Sequence, residues 1–160
     1  GIISDALNVK ELSDCSFDFI ICSQLIEHVK DDHALVSEIK RLLKDGGFAY
    51  VSSVVRKWYG FYFYVKNGSF RLDPTHVREY SSVDEFVKLF EEKGFEVINV
   101  VTRQVTYPLT DLAIRLFIKF GLIKPNVKFY EKHKIINGLR RLQIPIFGYS
   151  TIEVLVKKNG

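Results

Sequence analysis

Four histidines occur in the 160-residue chain, and two of them stand where a ligand could exchange protons with them. His28 follows Glu27 just after the apolar run Phe17-Asp18-Phe19-Ile20-Ile21-Cys22, and His76 lies within Asp73-Pro74-Thr75-His76-Val77-Arg78-Glu79-Tyr80. Unperturbed imidazole titrates near pH ~6.5, so either is a candidate catalytic acid or base at neutral pH. The plainer reading has His28 packed or hydrogen-bonded beside a helix, with His76 and Arg78 fastening their own loop. Arg78 and Tyr80 add a guanidinium and a phenol, both candidate substrate contacts. Trp58 heads the aromatic run Tyr59, Phe61, Tyr62, Phe63 and Tyr64, which either lines an apolar ligand pocket or packs inside the fold.

The elements that must position these groups follow from periodicity. Ile2-Ile3-Ser4-Asp5 reads as a strand end running into a polar loop. The run 17–22 is nearly continuous in apolar residues, the pattern of a central parallel strand buried on both faces. Asp31-Asp32 opens a helix whose apolar positions Leu35, Ile39, Leu42 and Leu43 recur at i, i+4, i+7 and i+8, with Gly46-Gly47 as its end. Phe48 to Val54 is the next strand, so strand, helix and strand form a crossover with parallel strands. Ser82 and Glu85 make a capping box for a second helix with Val83, Phe86, Leu89 and Phe90 on one face and Gly94 past its end. Glu96 to Val101 and Gly148 to Val156 complete the strands. Between them, residues 105–146 read as an insertion with helical periodicity near 110–121 and 130–142. In the first of these Asp111, Arg115 and Lys119 form one narrow charged stripe, so that helix requires burial on most of its circumference, against the sheet, over a substrate pocket or in a membrane interface.

Composition narrows the class. With 47% hydrophobic and 26% charged residues the chain is globular, and its length suits one domain, 1–160. Two cysteines, Cys15 and Cys22, are too few for a disulfide framework and fit a reducing, cytoplasmic setting. No stretch has the length of a membrane span. The net charge of +4 is uneven: residues 103–158 hold eleven Lys or Arg against three acids, leaving −4 before them. That basic third suggests either an anionic ligand, lipid surface or partner, or simply a solvated face. No interleaving of aromatic and basic residues on a sheet face argues for nucleic acid, and none is expected. A homo-oligomer and a peripheral membrane contact both stay open.

Several spaced blocks then match one family in consecutive order: Ser4-Asp5-Ala6; Ser16 to Ser23; Leu25-Ile26-Glu27-His28-Val29; Arg41-Leu42-Leu43-Lys44-Asp45-Gly46-Gly47-Phe48; and Lys93-Gly94-Phe95-Glu96-Val97. Together they resemble the class I small-molecule methyltransferases that use S-adenosylmethionine, over most of the chain to about residue 104. The resemblance implies an α/β fold, part of a doubly wound, Rossmann-like, mostly parallel sheet with an antiparallel terminal strand and a helical insertion. It implies methyl transfer to a small-molecule or lipid-like acceptor. Asp5, Ala6 and Leu7 would face the adenine, and Cys22, Ser23 and Gln24 the sulfonium and methionine part. The loops after Asp5 and after Cys22 would then open on one rim of the sheet. In some similar enzymes a Glu-x-x-Glu-His block binds a divalent metal; here Gln24 replaces the first acid, and no metal is expected. The family's opening strand and Gly-rich turn have no match, so the chain reads as the C-terminal part of the fold. A rival reading is a non-catalytic methyltransferase-like module that binds a partner or an anionic surface through its basic third.

Overall fold

The computed structural model describes residues 1–62, 64–66, 68–110, 120–121 and 141–160. The chain divides into two units, Gly1–Arg103 with Gly148–Gly160, and Gln104–Phe147. Most of the second unit, including both expected insertion helices, lies outside the described residues. Its described part includes the ends of two strands, and just beyond them Leu109 N donates to Leu142 O at 2.8 Å.

The first unit is built on a four-stranded sheet in the order β1-β2-β6-β5, comprising β1 (Phe17–Ser23), β2 (Leu43–Arg56), β5 (Phe95–Pro108) and β6 (Gln143–Lys158). β1 and β2 run parallel, joined through helix α1 (Asp32–Leu42), and β6 is antiparallel to β2, as the family pattern implied. β5 and β6 are longer than the Val- and Ile-rich runs that announced them. A two-stranded hairpin, β3 (Tyr64–Lys66) and β4 (Ser69–Arg71), was not anticipated, although Asn67-Gly68 is the residue pair that tight hairpin turns favour and Gly68 has φ +74°.

The helices start as their caps dictate. Asp31 accepts from Ala34 N at the head of α1, and Ser82 accepts from Glu85 N at 3.1 Å at the head of α2 (Val83–Glu91). The reciprocal half of the capping box slips by one: Glu85 accepts from Ser81 N, at 2.7 Å, rather than from Ser82. α1 ends at Leu42, not at Gly46-Gly47, because extended backbone begins at Leu43. The glycines instead serve an irregularity in β2, where the register jumps from Phe17↔Leu43 to Phe19↔Phe48 and Gly46 takes φ +77°.

Both helices pack on one face of the sheet. Leu35, Val36 and Ile39 of α1 and Phe86, Leu89 and Phe90 of α2 join Cys22, Ala49, Val51, Ile152, Val154 and Val156 in one buried cluster. Truncating a buried ring such as Phe86 or Phe90 to alanine would cost about 3–5 kcal/mol, much of the stability of a unit this size. At β1 the opposite face is open, and this corrects the expected burial of that strand. Among the described residues β1 is an edge strand, with Phe19 49% and Ile21 69% exposed. A strand is covered on both sides only where layers lie on both sides. The expected strand at residues 2–3 is likewise absent: residues 1–5 are irregular and Ile3 is fully exposed, since they add no strand to the β1 edge. Among the described residues no helix is long and apolar enough to cross a membrane.

Candidate active site

The carboxyl ends of β1 and β2 share a rim, the position where open α/β sheets bind ligands. At this rim Ser23 Oγ and Ser52 Oγ lie 2.9 Å apart, and Gln24 N donates to Ser52 O at 3.1 Å and reaches Ser52 Oγ at 3.2 Å. Gln24 is held at φ +50°, a left-handed backbone that is costly for a residue with a side chain. Cys22, just inside, is buried, and that burial, with Glu27 nearby, pushes its thiol up to about 11. It therefore stays protonated and is no nucleophile at neutral pH.

The chain then turns inward. Glu27 is fully buried, with Oε2 accepting from Ser53 Oγ at 3.0 Å and Oε1 left without a hydrogen-bond partner. Its backbone oxygen accepts from Val77 N at 2.8 Å and Arg78 N at 3.2 Å, which docks the 73–80 segment over the rim. That segment is also fixed to β2, since Arg56 N donates to Tyr80 O and Tyr80 N to Val54 O. The docking brings the two histidines together: the rings of His28 and His76 meet edge-on with centroids 4.9 Å apart. His28 Nδ1 lies 3.1 Å from Thr75 Oγ1, and His76 Nδ1 lies 2.9 Å from Oε1 of the buried Glu79. Arg56 Nε stands 3.5 Å from the other Glu79 oxygen, close enough for an ion pair but not a hydrogen bond. Glu27, His28 and His76 each offer a donor atom within 4.8 Å of the others, so one ion could be shared among them.

The remaining expected site residues lie elsewhere in this arrangement. Arg78 forms an ion pair with Asp32, and the buried Tyr80 donates to the same carboxylate at 3.0 Å. Burial works against ionisation of Asp32, but the Arg78 and Tyr80 hydrogen bonds outweigh it and hold the carboxyl below its usual range. Desolvation, with Asp32 beside it, drives the Tyr80 phenol far up, so it remains a donor. Trp58 is 90% exposed in a turn after β2. Asp5 lies in an exposed turn, where Oδ1 accepts from Leu7 N at 2.9 Å; Ala6 and Leu7 are half-buried against the core. Asp5 is thus not the end of a strand beside β1, as its position in the sequence suggested. From there residues 9–14 run along α1, where Arg41 binds the backbone oxygens of Val9 and Leu12 and the carboxylate of Asp14.

Sequence reasoning missed Glu79, Asp32 and Thr75, the partners that orient His76, Tyr80 and His28. Only spacing could have hinted at Glu79, three residues after His76. A shallow cleft of about 210 Å³ between the start of α1 and α2, lined by Asp32, His33, Tyr80, Glu85 and Leu89, includes neither His28 nor His76.

A family described as "Methyltransferase domain" matches residues 4–100. A Mycolicibacterium smegmatis protein assigned as an S-adenosylmethionine-dependent methyltransferase is 36% identical over 86 residues, 54% of this chain. A Glaesserella parasuis ubiquinone biosynthesis O-methyltransferase is 38% identical over 40 residues, 25% of this chain. The chain spans only 31% and 17% of those two relatives' lengths. Among solved structures, a Bacillus halodurans C-125 protein assigned as a methyltransferase aligns with 98% of this chain and 70% of its own, at TM-score 0.63 and 21% identity. The [4+2]-cyclase SpnF also aligns with 98% of the chain and 54% of its own, at TM-score 0.59 and 16% identity. These two likenesses establish the fold alone, and the second is a reminder that the fold hosts more than one chemistry.

Proposed function

The chain belongs to the methyltransferase-domain family, and on that premise we propose that it takes part in transferring the methyl group of S-adenosylmethionine to a small-molecule or lipid-like acceptor. When bound, that cofactor supplies an electrophilic methyl carbon on a positively charged sulfur. The local donor set suits such a cation: residues 22–29, at the rim, carry Glu27 and neither Lys nor Arg, and the protonated Cys22 does not compete for the methyl group. On this reading Ser23 and Gln24, held by Ser52, and Cys22 face the methionine end of the cofactor. Asp5, Ala6 and Leu7 take the adenine, the Asp5 carboxylate accepting from its exocyclic amine.

The observation that carries the proposal is the pairing of His28 and His76 over the carboxyl end of β1. In-line transfer depends chiefly on holding the nucleophile in place, with a base useful where the acceptor is a hydroxyl. With Nδ1 turned to Thr75, His28 presents Nε2 to take that proton. His76, fixed by Glu79, acts as a positioning residue that sets the ring of His28. Arg78 and Tyr80 hold the docked segment in place, and Trp58 contributes to acceptor binding only if the acceptor is apolar and large.

Calorimetric titration of the chain with S-adenosylmethionine should give saturable binding, weakened about tenfold by Asp5→Ala, the loss of one hydrogen bond to a charged group. Absence of saturable binding, both here and in a longer polypeptide that carries this chain, would end the proposal. The unpaired Oε1 of buried Glu27 favours a second reading, in which a divalent cation sits among Glu27, His28 and His76. A stable melting temperature with added Mg²⁺ or Mn²⁺ would discard it. The open face of the sheet, with Phe19 and Ile21 exposed, supports the non-catalytic module as the alternative; that reading requires that no cofactor shift the melting temperature. Two free cysteines support a reducing, cytoplasmic setting.

A further inference from the structure

The turn after β2 holds a cluster of large rings in solvent. Trp58 is 90% exposed, Tyr59 55% and Phe61 58%. Trp58 meets Tyr59 edge-on at 5.4 Å, and Phe61 meets Phe70 at 4.6 Å. Apolar groups exposed together in this way mark a surface that something covers.

The turn is well anchored. Gly60 N donates to Lys57 O at 2.8 Å, and Lys57 N donates to Gly148 O at 2.8 Å. The two glycine backbones approach so closely that a Cβ on Gly148 would lie 2.5 Å from Gly60 Cα.

Charge identifies the occupant. From Gly46 to Leu72 the sequence carries Arg56, Lys57, Lys66 and Arg71 and no acid at all. Arg56 faces Glu79 and the Nε of Arg71 is buried, which leaves the exposed Lys57 directly beside the rings, in a stretch of 27 residues without a carboxylate. Amphipathic rings beside cations suit the headgroup layer of a membrane, where Trp and Tyr settle at the interface and Lys and Arg are drawn to anionic lipid. We infer that the segment Lys57–Phe61 docks this protein on an anionic lipid surface, with Trp58 inserted among the headgroups. The inference stands apart from methyl transfer and requires no cofactor.

Trp58 is the only tryptophan in the chain, so its fluorescence reports on this segment alone. Titrating the protein with mixed phosphatidylcholine–phosphatidylglycerol vesicles should shift the emission to shorter wavelength, and raising the salt concentration should reverse the shift. Pure phosphatidylcholine vesicles should give little change. A Tyr59→Ser/Phe61→Ser variant, altered only at exposed positions, keeps the reporter and should bind at least about tenfold more weakly, the factor expected for losing one large buried apolar group. No shift with anionic vesicles, or unchanged binding by the variant, overturns the inference. A shift that appears without lipid as protein concentration rises assigns the patch to a second copy of the chain, and one produced only by an oligonucleotide assigns it to nucleic acid; either result also overturns it.

Discussion

Replacing Arg78 by alanine separates a fastening role from a substrate contact. In the folded chain Arg78 pairs with Asp32, the side chains being 26% and 12% exposed. Exposed pairs contribute about 0.2–1 kcal/mol, whereas breaking a buried one costs about 3–5 kcal/mol, so this half-buried pair should lie near 2 kcal/mol. Tyr80 still donates to Asp32 in the variant, which keeps the loss toward the lower part of that interval. The pH dependence gives the sharper test. The folded-state pKa of Asp32 lies below its unfolded value, so its contribution is complete above the unfolded value of about 3.9 and lost as pH falls through the folded one. Without Arg78 the ionised carboxylate is left partly buried, its folded pKa rises, and its charge becomes a cost at neutral pH. The stability gap between wild type and Arg78→Ala should therefore be widest above about pH 5 and narrow as pH drops below about 4. Urea unfolding followed by circular dichroism across that range measures it. In a double-mutant cycle, Asp32→Asn with Arg78→Ala should cost about 1–2 kcal/mol less than the sum of the single changes. A gap that does not vary with pH, or coupling below about 0.5 kcal/mol, would refute the fastening role and return Arg78 to the pool of groups available to a ligand.

Three other outcomes test the fold around the site. Ser82→Ala removes the cap of α2 and should cost about 1 kcal/mol, seen as a lower melting temperature; an unchanged melt would mean that Glu85 N finds another acceptor. Gly148→Ala meets both an unfavourable φ of +75° and the backbone of Gly60, so a loss above about 2 kcal/mol in urea unfolding is expected, with Gly148→Asn no better tolerated because contact, not φ alone, is limiting. Iodoacetamide near neutral pH should label the exposed Cys15 and spare the buried, protonated Cys22, giving one adduct by mass spectrometry.

The helices could be read from the sequence because their signals are local. Asp31 and Ser82 cap their own turns, the apolar spacing of Leu35, Ile39, Phe86, Leu89 and Phe90 names the buried face, and Gly94 with φ +74° follows α2 as expected. What was not legible depends on neighbours distant in sequence. Phe19 and Ile21 look like core residues, yet their exposure is decided by which layers flank β1. Ile2 and Ile3 have strand character but form no strand, because extended backbone needs a partner for its hydrogen bonds. The same holds at the site. Histidines at 28 and 76 were identifiable by type, whereas their meeting depends on two amides, Val77 N and Arg78 N, finding the backbone oxygen of Glu27. Arg78 and Tyr80 were expected to point at an acceptor, and their commitment to Asp32 could not be read from a residue 46 positions away from the nearer of them.

Gln24 carries a consequence of its own. A side chain in left-handed backbone costs on the order of 1 kcal/mol that glycine would not, so Gln24→Gly should raise stability by only part of that amount, the rest being offset by a freer unfolded chain and by the lost contact from Gln24 Nε2 to Ser52 Oγ at 3.3 Å. If evolution in the laboratory selected this chain for heat tolerance alone, position 24 would drift to glycine. Selection for turnover would hold it in place if the amide serves the reaction. The direction in which that one codon moves under the two regimes would thus reveal whether the strand end is a working surface or a relic.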